Sequence, residues 1–62
     1  MAYIEMFEKQ WLARYFRVAT DTIDRLVKGG LLRAVRIGNQ VRFTLEDVDA
    51  FIERQRIRGE AA

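Results

Sequence analysis

Across Gly29-Gly30 the hydrophobic period of this chain changes from helical to alternating, and that change rules out most folds a short sequence could adopt. Ahead of the glycines, Phe7, Trp11, Leu12, Tyr15 and Phe16 recur at three- and four-residue steps, which predicts a helix from Glu8 to Phe16. The segment Arg17-Val18-Ala19 then makes a short turn into a second helical run, whose buried stripe is read as Ala19, Ile23, Leu26 and Val27. Thr20 is expected to cap that helix through its hydroxyl, with Asp21 in the first turn where the macrodipole favours an anion. Gly29-Gly30 should end it with a left-handed cap. Beyond them Val35 and Ile37, then Val41 and Phe43, alternate with polar neighbours and predict a hairpin.

The hairpin register follows from burial in this reading. A Gly38-Asn39-Gln40 loop pairs Ile37 with Val41 and Val35 with Phe43, whereas a two-residue Gly38-Asn39 loop mixes apolar and charged residues on each face. The three-residue loop is therefore favoured. It sets Arg36 opposite Arg42 on the outer face, a like-charge pair that a phosphate would relieve. The last element starts on the clearest local signal in the chain. Thr44 and Asp47 form a capping box, and Phe43 and Val48 a hydrophobic staple, at the head of a helix from Leu45 to Arg56. Its apolar face is Val48, Phe51 and Ile52; Glu46, Asp47 and Asp49 lie toward its start and Arg54 and Arg56 at its end, as dipole compensation predicts.

What the composition lacks narrows the function. The 62 residues hold no Cys, His, Ser or Pro, which removes disulfides, the usual zinc ligands, two common nucleophiles and the commonest general base. Neither an enzyme, nor a metal site, nor a cofactor is expected. The chain is also too short to enclose a substrate pocket beside its own core, so function should lie on the surface. Apolar runs of no more than four residues cannot span a membrane, and the start has no signal-peptide character, so the expected location is the cytoplasm. A net charge of +2 permits a nucleic-acid partner without requiring one. The distribution of charge must decide.

Helix, turn, helix, hairpin, helix is the order of a winged helix-turn-helix: an α+β, mainly helical fold with a two-stranded wing. The run LARYFRVATDTIDRLVKGGLLRAVRIGNQVRFTLEDVDAFI, from Leu12 to Ile52, resembles the small excisionase-like, MerR-like winged-helix DNA-binding family. The resemblance is carried by Val18, Thr22, Ile23, Arg25 and Leu26, by Gly30, by the strand from Ala34 to Gly38, by Arg42 and by Glu46-Asp47. It implies a bacterial or phage protein whose second helix enters the major groove of double-stranded DNA while the wing meets the flanking backbone. One domain over 1–62 is expected, with 1–7 as an N-terminal extension and 57–62 as a tail. The chain departs from the usual family pattern at Ala19, Thr20, Asp24, Asn39 and Gln40, and its groove helix and wing tip are less basic than usual.

The resulting candidate DNA-binding set is Arg17, Thr20, Thr22, Asp24, Arg25, Lys28, Arg33, Arg36, Asn39, Gln40 and Arg42. Asp21 and Asp24 each stand four residues before a base, Arg25 and Lys28. They either stabilise an exposed helix through those pairs or present a carboxylate to cytosine N4. Trp11 and Tyr15, with Phe7, form an aromatic stripe. Either the Tyr3-Ile4 segment or the last helix covers it, or it is an anchor for another protein. The resemblance further implies a recombination directionality factor that binds repeated sites cooperatively with copies of itself, bends DNA and assists a site-specific integrase. A minimal MerR-like transcriptional regulator is the nearest alternative. A protein-interaction adaptor or antirepressor using the Trp11 stripe is the alternative of another class.

Overall fold

In a computed structural model, which describes residues 3–57, the chain runs β1 (Met6–Glu8), α1 (Lys9–Phe16), α2 (Thr20–Lys28), β2 (Val35–Ile37), β3 (Gln40–Thr44) and α3 (Leu45–Gln55). The three helices and the hairpin stand in the expected order. The sheet has a third strand that periodicity did not reveal: Met6 and Phe7, expected in an N-terminal extension, pair with β3 opposite Thr44 and Phe43. The sheet order is β1-β3-β2, both pairings antiparallel, so the long strand of the hairpin is central. Three residues are too few to show alternation, which is why β1 escaped the pattern. Of the expected tail only Ile57 lies among the described residues, and it is exposed.

The three helices, the linker and β3 share one core. Leu12 and Ala13 of α1, Ile23 of α2, Leu32 of the linker, Phe43 of β3, and Val48 and Phe51 of α3 are buried, with Phe16, Leu26, Val27, Ala34, Val41 and Ile52 packed around them. Ala19, read as part of the α2 stripe, is instead exposed and serves as that helix's N-cap. Thr20 is the first helical residue and makes no capping bond. The Ala19 carbonyl accepts from the Thr22 N–H at 3.0 Å.

Two turns aim α2. Arg17 takes the left-handed conformation (φ 61°, ψ 48°) at the end of α1, and the Val18 N–H donates to the Ala13 carbonyl at 2.9 Å, which closes the turn between the helices. At the far end Gly30, with φ +80°, reverses the chain. Its N–H donates to Val27 O (3.1 Å) and the Leu31 N–H to Leu26 O (3.0 Å), the two bonds of a Schellman cap. The linker that follows is fastened by α3, since Arg54 Nη2 donates to the Leu31 carbonyl at 2.6 Å. In α3 the capping box is complete: the Asp47 N–H donates to Thr44 Oγ1 (3.1 Å) and the Thr44 N–H to Asp47 Oδ2 (3.2 Å). The helix ends one residue short of Arg56.

The hairpin takes the register that burial argued against. Val35 pairs with Arg42, Arg36 with Val41 and Ile37 with Gln40, so the loop is Gly38-Asn39 alone. Gly38 has φ +61° and Asn39 does not have a positive φ, the pattern of a type II′ turn with glycine first. The burial argument failed because β2 runs past the core. Arg36 and Ile37 are both exposed, so no buried face enforced the alternation and the turn chemistry set the register.

Candidate nucleic-acid interface

The register decides where the basic side chains go. Cross-strand partners share a face, and faces alternate along a strand. Arg36 therefore stands with Val41 on the face of the hairpin turned toward α2, where it lines a cleft with Asp24, Val27 and Lys28. Arg42 stands on the opposite face, between Val35 of β2 and Glu8 of β1. The expected Arg36–Arg42 pair does not form. Arg42 is half-buried and its Nη1 donates to the Val41 carbonyl at 3.0 Å, with the Gln40 Oε1 at 3.5 Å.

Along α2 the exposed residues are Asp21, Asp24, Arg25 and Lys28. The expected i,i+4 pairs are absent: neither Asp21–Arg25 nor Asp24–Lys28 is among the ion pairs of the described residues. Asp24 is instead held by Lys9, the first residue of α1, whose Nζ lies 3.0 Å from Oδ1 and 3.3 Å from Oδ2. Arg25 and Lys28 are thus left free of carboxylate partners on the helix surface, which suits them to phosphate. Thr20 is half-buried at the helix start, and Thr22, also half-buried, lies along the groove between α2 and α3 beside Val18, Leu26 and Phe51. Arg17 is exposed on the inter-helix turn, Arg33 on the linker, and Asn39 at the wing tip.

A chain with this second helix, turn and hairpin matches a family model described as a helix-turn-helix domain, over residues 12–56. The chain belongs to that family. It is a helix-turn-helix domain of the small, excisionase-like, DNA-binding kind. The matched region runs from Leu12 in α1 to just past the end of α3 and leaves out β1. An uncharacterized protein of Pasteurella multocida is 55% identical over 31 residues, covering 50% of this chain and 48% of its own. An uncharacterized protein of Mycobacterium tuberculosis and one of Mycobacterium bovis are each 45% identical over 49 residues, covering 79% of this chain and 43% of theirs. The chain thus spans less than half the length of these curated relatives. No solved structure matches it significantly.

Within the helix-turn-helix frame, α2 is the second helix and the β2–β3 hairpin is the wing beside it. Lys28 and Arg36 line one cleft with Asp24, and Asn39, Gln40 and Arg42 line a second cleft with Asp24; Arg25 is exposed along α2, and Arg17 and Arg33 on the two connections. Sequence reasoning missed Lys9 and Gln10, which enter from α1 and line a cleft with Asp24, Asn39, Gln40 and Arg42. No local signal marks them. Their place depends on the α1–α2 crossing, which a one-dimensional pattern does not carry.

The aromatic stripe forms and is partly exposed. Phe7 stacks on Trp11 (centroids 4.3 Å apart, planes at 21°) and Trp11 on Tyr15 (5.2 Å, 8°). Tyr3 is 97% exposed and Ile4 69%, so the Tyr3-Ile4 segment does not shield Trp11, which stays 38% exposed. The last helix packs on the other side of α1, where Phe51 meets Phe16 at 5.6 Å. Among the described residues no helix is long and apolar enough to cross a membrane, and no group of three or more acidic, His or Cys side chains is placed to hold a metal ion.

Proposed function

We propose that this helix-turn-helix domain is a sequence-specific excisionase, a recombination directionality factor acting on double-stranded DNA in a bacterial cytoplasm. In this reading α2 enters the major groove with Thr20 at its leading end, and Arg25 and Lys28 meet the groove walls. Arg17, Arg33, Arg36 and Asn39 contact the flanking backbone. The observation that carries the reading is Arg36 on the α2-facing side of the wing, lining one cleft with Lys28 and so joining helix and wing in one basic surface. Copies bound to neighbouring sites touch through the Trp11–Tyr15 stack, whose exposed rings are the kind of surface contact hot spots use. Cooperative binding of this type multiplies a modest single-copy affinity, bends the DNA, and lets a site-specific integrase run in the excisive direction. All bond making and breaking belongs to the integrase.

Binding to DNA across a salt series tests the DNA step. About five neutralised phosphates give a slope of log K against log salt near −4 to −5 per protomer, and a slope near zero refutes it. Footprinting then separates the roles. Protection of repeated sites within a recombination attachment region supports the excision reading, whereas protection confined to promoters makes the protein a transcriptional regulator.

A further inference from the structure

One ion pair ties α1 to the exposed side of α2, and helix stability does not explain it. Asp24 lies in the second turn of α2, beyond the reach of the N-terminal dipole that accounts for Asp21. Its carboxylate passes over Lys28, four residues along the same helix, and is gripped at both oxygens by Lys9, fifteen residues back. The two side chains remain 35% and 49% exposed, and exposed pairs contribute little to stability. What the grip does is fix an acid at one place. Asp24 borders a cleft whose other side is the wing, Asn39, Gln40 and Arg42, so it faces the space between recognition helix and wing; the Arg42 guanidinium there is engaged by the Val41 carbonyl and the Gln40 side chain.

A carboxylate offers about four acceptor positions and no donor. Lys9 occupies two, leaving acceptor capacity on the open side of Asp24. In the major groove, cytosine presents the N4 amine without an adjacent acceptor, whereas adenine sets the N7 acceptor beside its N6 amine and guanine offers acceptors alone. An acceptor-only group therefore favours cytosine. The ammonium of Lys9 cancels the charge that would otherwise repel the phosphates on either side of the groove.

We propose that Asp24 selects a cytosine in the major groove and that Lys9, through its two bonds to the carboxylate, is the positioning residue for that selection. The inference rests on the DNA-binding reading of α2 and adds a base identity and a residue outside the second helix. Lys9 itself contacts no base.

The test is site selection on the intact chain followed by competition between the selected duplex and versions changed at each base pair, for the wild type and Asp24→Asn, Lys9→Gln and Lys9→Arg. Thermal melting by circular dichroism checks that each variant is folded. The wild type should favour cytosine at one position by about tenfold. Asp24→Asn should transfer that preference to adenine, which an amide reads through N6 and N7. Lys9→Gln should reduce the cytosine preference severalfold, and Lys9→Arg should restore most of it. The proposal is overturned if Asp24→Asn leaves the base preference unchanged. It is equally overturned if Lys9→Gln weakens binding to all sequences alike and lowers the salt slope by about one, since Lys9 is then a phosphate contact. A wild type that binds no DNA at all refutes the DNA reading itself, a result distinct from both.

Discussion

Arg36 and Val41 are cross-strand partners, and this one pairing moves the wing's basic charge to the side of the hairpin that faces α2. A one-residue slip of register would send Arg36 to the other face beside Arg42. The two arginines, alike in a sequence, therefore stand in different surroundings. Arg36 lines a cleft with Lys28, while Arg42 is bonded to the Val41 carbonyl and stands across from Glu8.

Substituting each in turn should separate these roles. Arg36→Gln is expected to weaken binding to all duplexes and to lower the salt slope by about 0.9, the value for one lost phosphate contact. Arg42→Gln should change the slope by less than half that amount and lower the melting temperature by at most a few degrees, because its guanidinium is already engaged by the neighbouring Val41 carbonyl and Gln40 side chain. Filter binding at several salt concentrations, with melting curves for both variants, reads the difference.

Trp11→Ala bears on contacts between copies. The ring is stacked between Phe7 and Tyr15 and lies outside the buried core, so its removal should leave the fold intact. Affinity for a single isolated site should change less than twofold by the usual measure of a non-contacting residue, about 0.4 kcal/mol. Binding to two adjacent sites should lose its cooperativity. Cooperativity equal to that of the wild type would remove the stripe from the proposed assembly.

Gly30 sets the exit of α2. With φ at +80° it occupies a region that side chains disfavour, although a Cβ there would meet nothing within 4 Å. Gly30→Ala should therefore destabilise through backbone strain alone, by about 1 kcal/mol or somewhat more. An unfolding free energy from urea denaturation lowered by less than a quarter of that amount would contradict the assignment.

The cap of α3 gives a prediction of similar size from a different cause. Thr44→Ala removes the acceptor for the Asp47 N–H and should cost about 1 kcal/mol. Asp47→Ala removes the reciprocal bond to the Thr44 N–H, and the double variant should cost less than the two single losses added, since the pair acts as one box. Chemical denaturation of the three variants decides whether the box is cooperative.

Local chemistry along the chain is enough to specify most of the elements. The three helices follow from apolar spacing; the end of α2 follows from a glycine able to adopt positive φ, and the start of α3 from two side chains that reach only the next turn. Phe43, Val48 and Phe51 were legible as core because an amphipathic period marks which side must leave water. Other features came from the packed fold: the third strand and the partner of Asp24 depend on residues far apart in the chain, and the hairpin register on where the core ends. Met6–Glu8 becomes a strand because β3 offers it an edge, not because three residues prefer to be extended. The hairpin register departs from the burial expectation because its tip extends past the core, where burial no longer discriminates and the Gly38 turn prevails. Asp24 takes Lys9 over the nearby Lys28 because packing of α1 on α2 brings the more distant ammonium to it. Local spacing specifies helices and caps, since their bonds close within a turn; the partners of exposed charges are set by how those helices cross.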